Sequence, residues 1–303
     1  MPLDPAAQQI ITLLGELGGI AFENGTPDEA RAAYALLGTP DAGDLPEVES
    51  VKEQEIAGVP CRTVTPHGSG PFPVLIWLHG GGWVIGSAGL SLATACDLAS
   101  GAGCVVISVD YRLAPEHRFP AAPDDCVAVT HWVLDHAGEI GGDPDRVAIG
   151  GDSAGANLSA VVAIEVPGLV MQLLVYPATD LTMSQASIEE NGEGYMLTRS
   201  MMDWFADHYL GDADPKDPRV SPLFADAVDL AGACPAHVIT AEFDPLRDEG
   251  EAYAARLRDV GVEVTGARYD GQIHGFFTMP ALMPVGRRAV DDAVDALRSA
   301  YGA

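Results

Sequence analysis

The sequence predicts an α/β fold: a mostly parallel central sheet with helices on both faces and a small helical cap. Short runs rich in Val, Ile and Leu recur at 74–79, 105–109, 147–150, 170–176, 237–241 and 262–269. Such near-continuous apolar runs suit strands covered on both faces, as in parallel sheets. Helix-like segments at 90–100, 120–136, 154–164, 250–260 and 284–299 alternate with them, and strand–helix alternation builds a parallel sheet with helices on each side. One stretch, 180–220, keeps helical spacing in Met201, Met202, Phe205 and Tyr209 but carries no strand.

The elements follow in chain order. Ile10, Leu13, Leu14 and Leu17 recur at helical spacing near the start. A second helix is expected around 26–37, because Thr26-Pro27-Asp28-Glu29 supplies a capping hydroxyl, a proline at the first helical position and acids facing the helix dipole. Residues 41–46 read as a linker, after which the strand–helix alternation begins. The reading therefore divides the chain into a helical cap or lid, residues 1–45 and 181–220, and an α/β core, residues 46–180 and 221–303. At 303 residues with 48% apolar and 20% charged side chains, the chain is long and apolar enough to bury a large core.

Charge removes two classes of partner. Forty-four acidic residues against 16 basic ones leave a net charge of −28, and such a surface repels phosphate backbones and anionic lipid headgroups. Nucleic acid and membrane are therefore not expected as partners. The five cysteines (Cys61, Cys96, Cys104, Cys126, Cys234) show no C-x-x-C pair and no metal-ligand spacing, which suggests reduced thiols in a cytoplasmic protein. The first residues, Met1-Pro2-Leu3-Asp4-Pro5, lack the basic and apolar regions of a signal peptide.

The chemistry-bearing motif is Gly151-Asp152-Ser153-Ala154-Gly155, a G-x-S-x-G at an expected strand-to-helix turn. Such a turn strains the serine backbone and crowds its neighbours; glycine on either side leaves the hydroxyl exposed. Upstream, His79-Gly80-Gly81-Gly82-Trp83 follows the strand at 74–79. Acyl transfer develops a negative oxygen, and the N–H groups of Gly81, Gly82 and Ala154 are the expected donors to it. A phosphate-binding reading of the glycine loop lacks the following Gly-Lys-Ser/Thr.

A serine nucleophile needs a base, and the base an orienting acid, in chain order Ser, Asp/Glu, His. Of eight histidines, only His274 lies after the last strand in a glycine-flanked loop. Asp244 stands at the C-terminal end of the strand at 237–241 and is favoured over Glu242 as the acid; Asp248 reads as an N-terminal helix charge or a partner of Arg247.

Together these residues resemble the hormone-sensitive-lipase-like family of bacterial carboxylesterases, within the α/β-hydrolase fold. The likeness runs through His79–Trp83, Tyr111-Arg112-Leu113-Ala114-Pro115-Glu116, Gly151–Asn157, Asp244–Asp248, His274-Gly275-Phe276, the stretch from Leu197 to Leu210 and Ser221-Pro222-Leu223. It implies Ser153 as nucleophile, His274 as base, Asp244 as orienting acid, and a helical cap over an acyl pocket. It also implies a self-associated dimer, which no residue demonstrates. One departure is the short link Glu165-Val166-Pro167-Gly168-Leu169, expected to bear on packing rather than chemistry.

The expected reaction is hydrolysis of a small-molecule ester, short to medium in acyl chain, through an acyl-enzyme, with no metal or cofactor. Amide, lactone or thioester cleavage by the same machinery stays open. A non-catalytic small-molecule receptor on this fold is disfavoured because the gibberellin receptors of this family lack the histidine that stands here as His274. Trp83, Met202 and Phe205 are the candidate substrate contacts, although the apolar residues of 183–205 serve equally as the core of the cap helices.

Overall fold

The computed structural model describes residues 2–16, 21–37 and 45–302. Leu17 and residues 41–44 of the expected linker lie outside that set. In chain order the elements are α1 (Pro5–Glu16), α2 (Pro27–Leu37), β1 (Ser50–Ile56), β2 (Val59–Thr65), β3 (Phe72–Leu78), α3 (Leu92–Ala102), β4 (Val105–Val109), α4 (Ala121–His136), β5 (Gly142–Asp152), α5 (Ala154–Glu165) and β6 (Met171–Val175). There follow α6 (Ala186–Asn191), α7 (Arg199–Leu210), α8 (Ala227–Ala231), β7 (Ala236–Phe243), α9 (Arg247–Asp259), β8 (Val264–Ile273) and α10 (Pro284–Ala300).

All eight strands form one sheet in the order β1-β2-β4-β3-β5-β6-β7-β8. From β4 to β8 every neighbouring pair is parallel; β2 runs antiparallel to both β1 and β4. The apolar runs split between two faces as the strand period requires. Val74, Ile76 and Leu78 of β3 join a core with α4 and α5, whereas Leu75 and Trp77 join one with α3 and α10.

The hairpin β1–β2 is the part of the sheet that the apolar runs do not announce. β1 is Ser-Val-Lys-Glu-Gln-Glu-Ile, largely exposed, with three of its seven residues charged. It is an edge strand, where charged side chains discourage pairing with another chain. Its turn uses Ala57 and Gly58 at φ 52° and 79°, the left-handed pair that a tight two-residue hairpin demands.

The helical segments outside the sheet pack in two places. On α1, the buried Ala7 and its half-buried neighbours Ala6, Ile10 and Ile11 lie in the core that includes Phe276 and Phe277, and the Asp4 N–H donates to the Gly271 carbonyl in β8. The turn Phe22–Asn24 instead meets α7 and joins α2 to it: Phe22 lies 6.2 Å from the Phe205 ring and 6.1 Å from Tyr34 of α2, and Ser200 donates to Glu23. Arg31 on α2 donates to the carbonyls of Val84 and Ala114 and pairs with Glu116 at 2.6 Å. The short α5–β6 link turns at Gly168, φ 98°, with Val166 buried beneath it.

Candidate active site

β3 and β5 are neighbours, yet the chain leaves β3 for β4 on one side and continues from β5 to β6 on the other. At such a switch the loops diverge and open a crevice outside the carboxyl ends of the strands. The loops after β3, β5, β6, β7 and β8 carry His79–Gly82, Ser153, Tyr176, Asp244 and His274, and all of these except Asp244 line one cavity of about 580 Å³.

Ser153 sits at φ 55°, ψ −117°, between β5 and α5. A β-carbon on Gly151 would lie 2.4 Å from the Leu78 carbonyl oxygen, and one on Gly155 would lie 1.9 Å from the same atom. The turn is possible only because β3, β5 and α5 meet across two residues without side chains. The strained serine conformation is held by its N–H, which donates to the Val175 carbonyl of β6 at 2.9 Å.

His274 Nε2 stands 3.1 Å from Ser153 Oγ, and its Nδ1 stands 2.7 Å from Asp244 Oδ2. The carboxylate only accepts, so Nδ1 carries the proton and Nε2 turns a lone pair to the serine hydroxyl. Asp244 is fully buried, and its other oxygen accepts the Leu246 N–H at 2.9 Å. The loop behind it is pinned from the 180–220 insertion: Asn191 donates to the Asp244 carbonyl, and the Ser187 N–H donates to Asp248. Asp248 also pairs with Arg247 in the first turn of α9. Glu242 is turned away, accepting the Gly271 N–H at 2.7 Å.

On the opposite side of the serine, Gly81 and Gly82 follow β3 with φ of 122° and 55°. Neither N–H has an acceptor among the described residues. Gly82 also answers a close approach, because a β-carbon there would lie 2.2 Å from the Phe205 ring. The loop is tied to the serine turn by Asp152, whose Oδ1 accepts the Gly80 N–H at 3.0 Å. Burial pushes the Asp152 carboxyl up to about 6, against the pull of that N–H. His79 is buried with its Nδ1 at the Gly80 carbonyl, stacked on Tyr111, whose hydroxyl donates to the His79 carbonyl at 2.7 Å. Burial lowers the His79 pKa, keeping the ring neutral.

Trp83, Met202 and Phe205 all border the cavity. Trp83 spends its ring face on Tyr209 of α7, at 4.4 Å and 6° between planes, while Phe205 packs over Gly82. Tyr176 was not legible as a site residue. It follows β6 at φ 36°, and its ring lies 4.5 Å from the His274 imidazole. In sequence it is the end of an apolar strand run; only its place at a carboxyl strand end hints at the site. Among the described residues, no group of three or more His, Cys, Asp or Glu is arranged to hold a metal ion, and no helix is long and apolar enough to cross a membrane.

Residues 75–278 match the family model of the α/β-hydrolase fold. The carboxylesterase NlhH of Mycobacterium tuberculosis is 39% identical over 90% of this chain and 89% of its own. The chain is an α/β-hydrolase of the hormone-sensitive-lipase-like carboxylesterase family. LipN of M. tuberculosis, a carboxylic ester hydrolase, is 43% identical to this α/β-hydrolase over 80% of the chain and 67% of its own length. Among solved structures, an ester hydrolase from the metagenome of Lake Arreo superposes with a TM-score of 0.94 at 39% identity, covering 99% of this chain and 100% of that one. The hyperthermophilic esterase of Pyrobaculum calidifontis gives 0.92 at 37% identity, covering each chain completely, at 100% of both. The likeness thus spans the helices around the sheet as well as the sheet.

Proposed function

We propose that this protein hydrolyses carboxylic esters of short to medium acyl chain through an acyl-enzyme on Ser153. The observation that carries the reading is the unbroken relay from Ser153 Oγ through both ring nitrogens of His274 to the buried Asp244. Neutral His274 takes the Ser153 proton as Oγ attacks the ester carbonyl. Asp244 holds the Nδ1–H tautomer and stabilises the imidazolium that forms. The tetrahedral oxygen takes hydrogen bonds from the N–H groups of Gly81, Gly82 and Ala154. Imidazolium protonates the leaving alcohol, and the carbonyl re-forms as acyl-Ser153. Water, deprotonated by His274, then attacks the acyl carbon and releases the acid.

The site size supports the acyl range: about 580 Å³ suits a small or medium ester. Residues 1–45 and 181–220 act in this reading as the cap. It is supported by the contacts of Phe22 and Glu23 with α7, and by Met202 and Phe205 bordering the cavity above Gly82. Four buried and one half-buried free cysteine support a cytoplasmic setting.

The test is hydrolysis of p-nitrophenyl esters from acetate to palmitate by the wild type and Ser153→Ala. Turnover by the wild type alone, peaking at short or middle chains, is the expected result. Equal turnover by the variant overturns the nucleophile. No turnover of any ester by folded wild type transfers the reading to an amide, lactone or thioester.

A further inference from the structure

The cavity at Ser153 has two unlike ends. Against α7 its wall is apolar, with Met201, Met202 and Phe205. At the other end it runs between α3 and the chain that follows His274. Residues 278–282 and Arg287 form one wall there, and Thr94 and Asp97 belong to the other. Thr94 and Asp97 are three residues apart on α3 and so share a face of that helix. Arg287, in the first turn of α10, donates from Nη1 and Nη2 to the two carboxylate oxygens of Asp97, at 2.8 Å and 2.6 Å.

Two polar groups at that end have hydrogen-bonding capacity to spare. The Arg287 side chain is 42% exposed, and Asp97 occupies only part of its donor fork. Its remaining N–H groups have no acceptor among the described residues. The Thr94 hydroxyl likewise makes no hydrogen bond among the described residues, and it stays accessible, unlike sealed polar atoms such as Trp77 Nε1 and Tyr253 Oη.

Charge decides what kind of group suits them. The Asp97 carboxylate offsets the guanidinium, and the chain carries a net charge of −28, so an anion gains little here. A neutral oxygen is not repelled by that field and takes a charge-assisted hydrogen bond from a guanidinium already held in place. Mostly apolar cavities use a few such fixed polar groups to orient a ligand. In the reaction above the leaving oxygen takes its proton from His274, and the chain after His274 is the wall that ends at Arg287.

We propose that Arg287 and Thr94 are substrate-recognition residues that hydrogen-bond hydroxyl groups on the alcohol half of the ester, with Asp97 as the positioning residue for the guanidinium. The preferred substrates are then esters of diols and polyols. The proposal rests on the esterase reading and names the alcohol class for it.

Matched esters provide the test. The primary glycerol monoester of butanoic acid is compared with β-methylbutyl butanoate, in which methyl groups replace both hydroxyls. Ethyl β-hydroxybutanoate and ethyl β-methylbutanoate make the same exchange in the acyl half. The ratio of kcat/KM within each pair is measured for wild type and Arg287→Met, so that intrinsic reactivity cancels between the two proteins. Loss of one net hydrogen bond predicts a fall of about five- to tenfold in the glycerol ratio, carried by the glycerol ester, while the acyl ratio holds. An unchanged glycerol ratio, a fall that comes only from faster turnover of the methyl ester, or an equal fall in the acyl pair overturns the proposal. Thr94→Val, read in the same way, decides if Arg287→Met fails to fold. Turnover with an unchanged ratio sinks the Arg287 proposal alone. If wild type cleaves none of the esters, the esterase reading fails, and calorimetric affinity of the glycerol ester for wild type and Arg287→Met decides the contact: weaker binding by the variant supports it, and equal binding overturns it.

Discussion

The carboxylate of Asp152 accepts the Gly80 N–H at 3.0 Å, so the residue before the candidate nucleophile holds the loop that carries Gly81 and Gly82. Serine turn and glycine loop are thereby one unit. A side chain on Gly80 would break it, since a β-carbon there would lie 2.3 Å from an Asp152 carboxylate oxygen.

Asp152 should make stability fall as pH rises. Burial lifts its carboxyl from 3.8 to about 6, so between those values the folded protein binds more protons than the unfolded chain. Unfolding free energy then decreases with rising pH across that window, and above it the full cost of an ionised, buried Asp152 is present. Asp152→Asn keeps an oxygen for the Gly80 N–H and removes the titration. Urea unfolding at pH 4, 5 and 6.5 should show the variant gaining on wild type by on the order of 2–3 kcal/mol across the series. A gap that is constant with pH would contradict this.

Asp244→Asn leaves the fold intact in outline but removes the acceptor that selects the Nδ1–H tautomer of His274. The expected outcome is a fall in kcat of about 10⁴-fold with little change in KM. Steady-state kinetics on p-nitrophenyl butyrate decide it; a loss carried by KM would mean that Asp244 shapes binding instead.

Gly82→Ala sets a methyl group against the Phe205 ring at a φ of 55°. Displacing one N–H donor should lower kcat on the order of 10²-fold. Adding Phe205→Ala makes room for the methyl but leaves the left-handed backbone in place. The double variant should therefore recover thermal stability and not turnover. Recovery of both would show that the clash with Phe205, not the backbone, was the cause.

Arg31 ties α2 to the loops after β3 and β4 through two carbonyls and Glu116. Arg31→Ala should cost about 1–2 kcal/mol in urea unfolding. Glu116→Gln keeps both carbonyl bonds and loses only a half-exposed ion pair, so its cost should stay below about 1 kcal/mol. Equal costs would assign the anchoring to the ion pair.

Five of the six parallel strands were legible because they are largely buried on both faces and so read as apolar runs; β4, Val-Val-Ile-Ser-Val, is buried throughout, whereas β8 is an edge strand with exposed residues over much of its length. β1 escaped because an edge strand needs no apolar run, and Lys52, Glu53 and Glu55 suit its solvent face better. Ser153, Asp244 and His274 were legible because each is tied to a strand end and to a fixed order along the chain. Tyr176 and Asp152 were not, since a tyrosine ending a strand and an acid inside a motif have no spacing that marks what they touch.

Sequence alone determined the strand–helix alternation, and it marked a serine between two glycines and a glycine-rich loop as the candidate site. These are local properties: burial period, backbone freedom and side-chain type act within a few residues. Which groups meet was decided only by the tertiary structure. His274 and Ser153 are 121 residues apart in the chain and hydrogen-bonded in space. Arg287 reads as one more base in a helix until Asp97 and the cavity are brought beside it. Pairing, burial and proton affinity depend on neighbours that the sheet order supplies, and that order is a property of the whole fold.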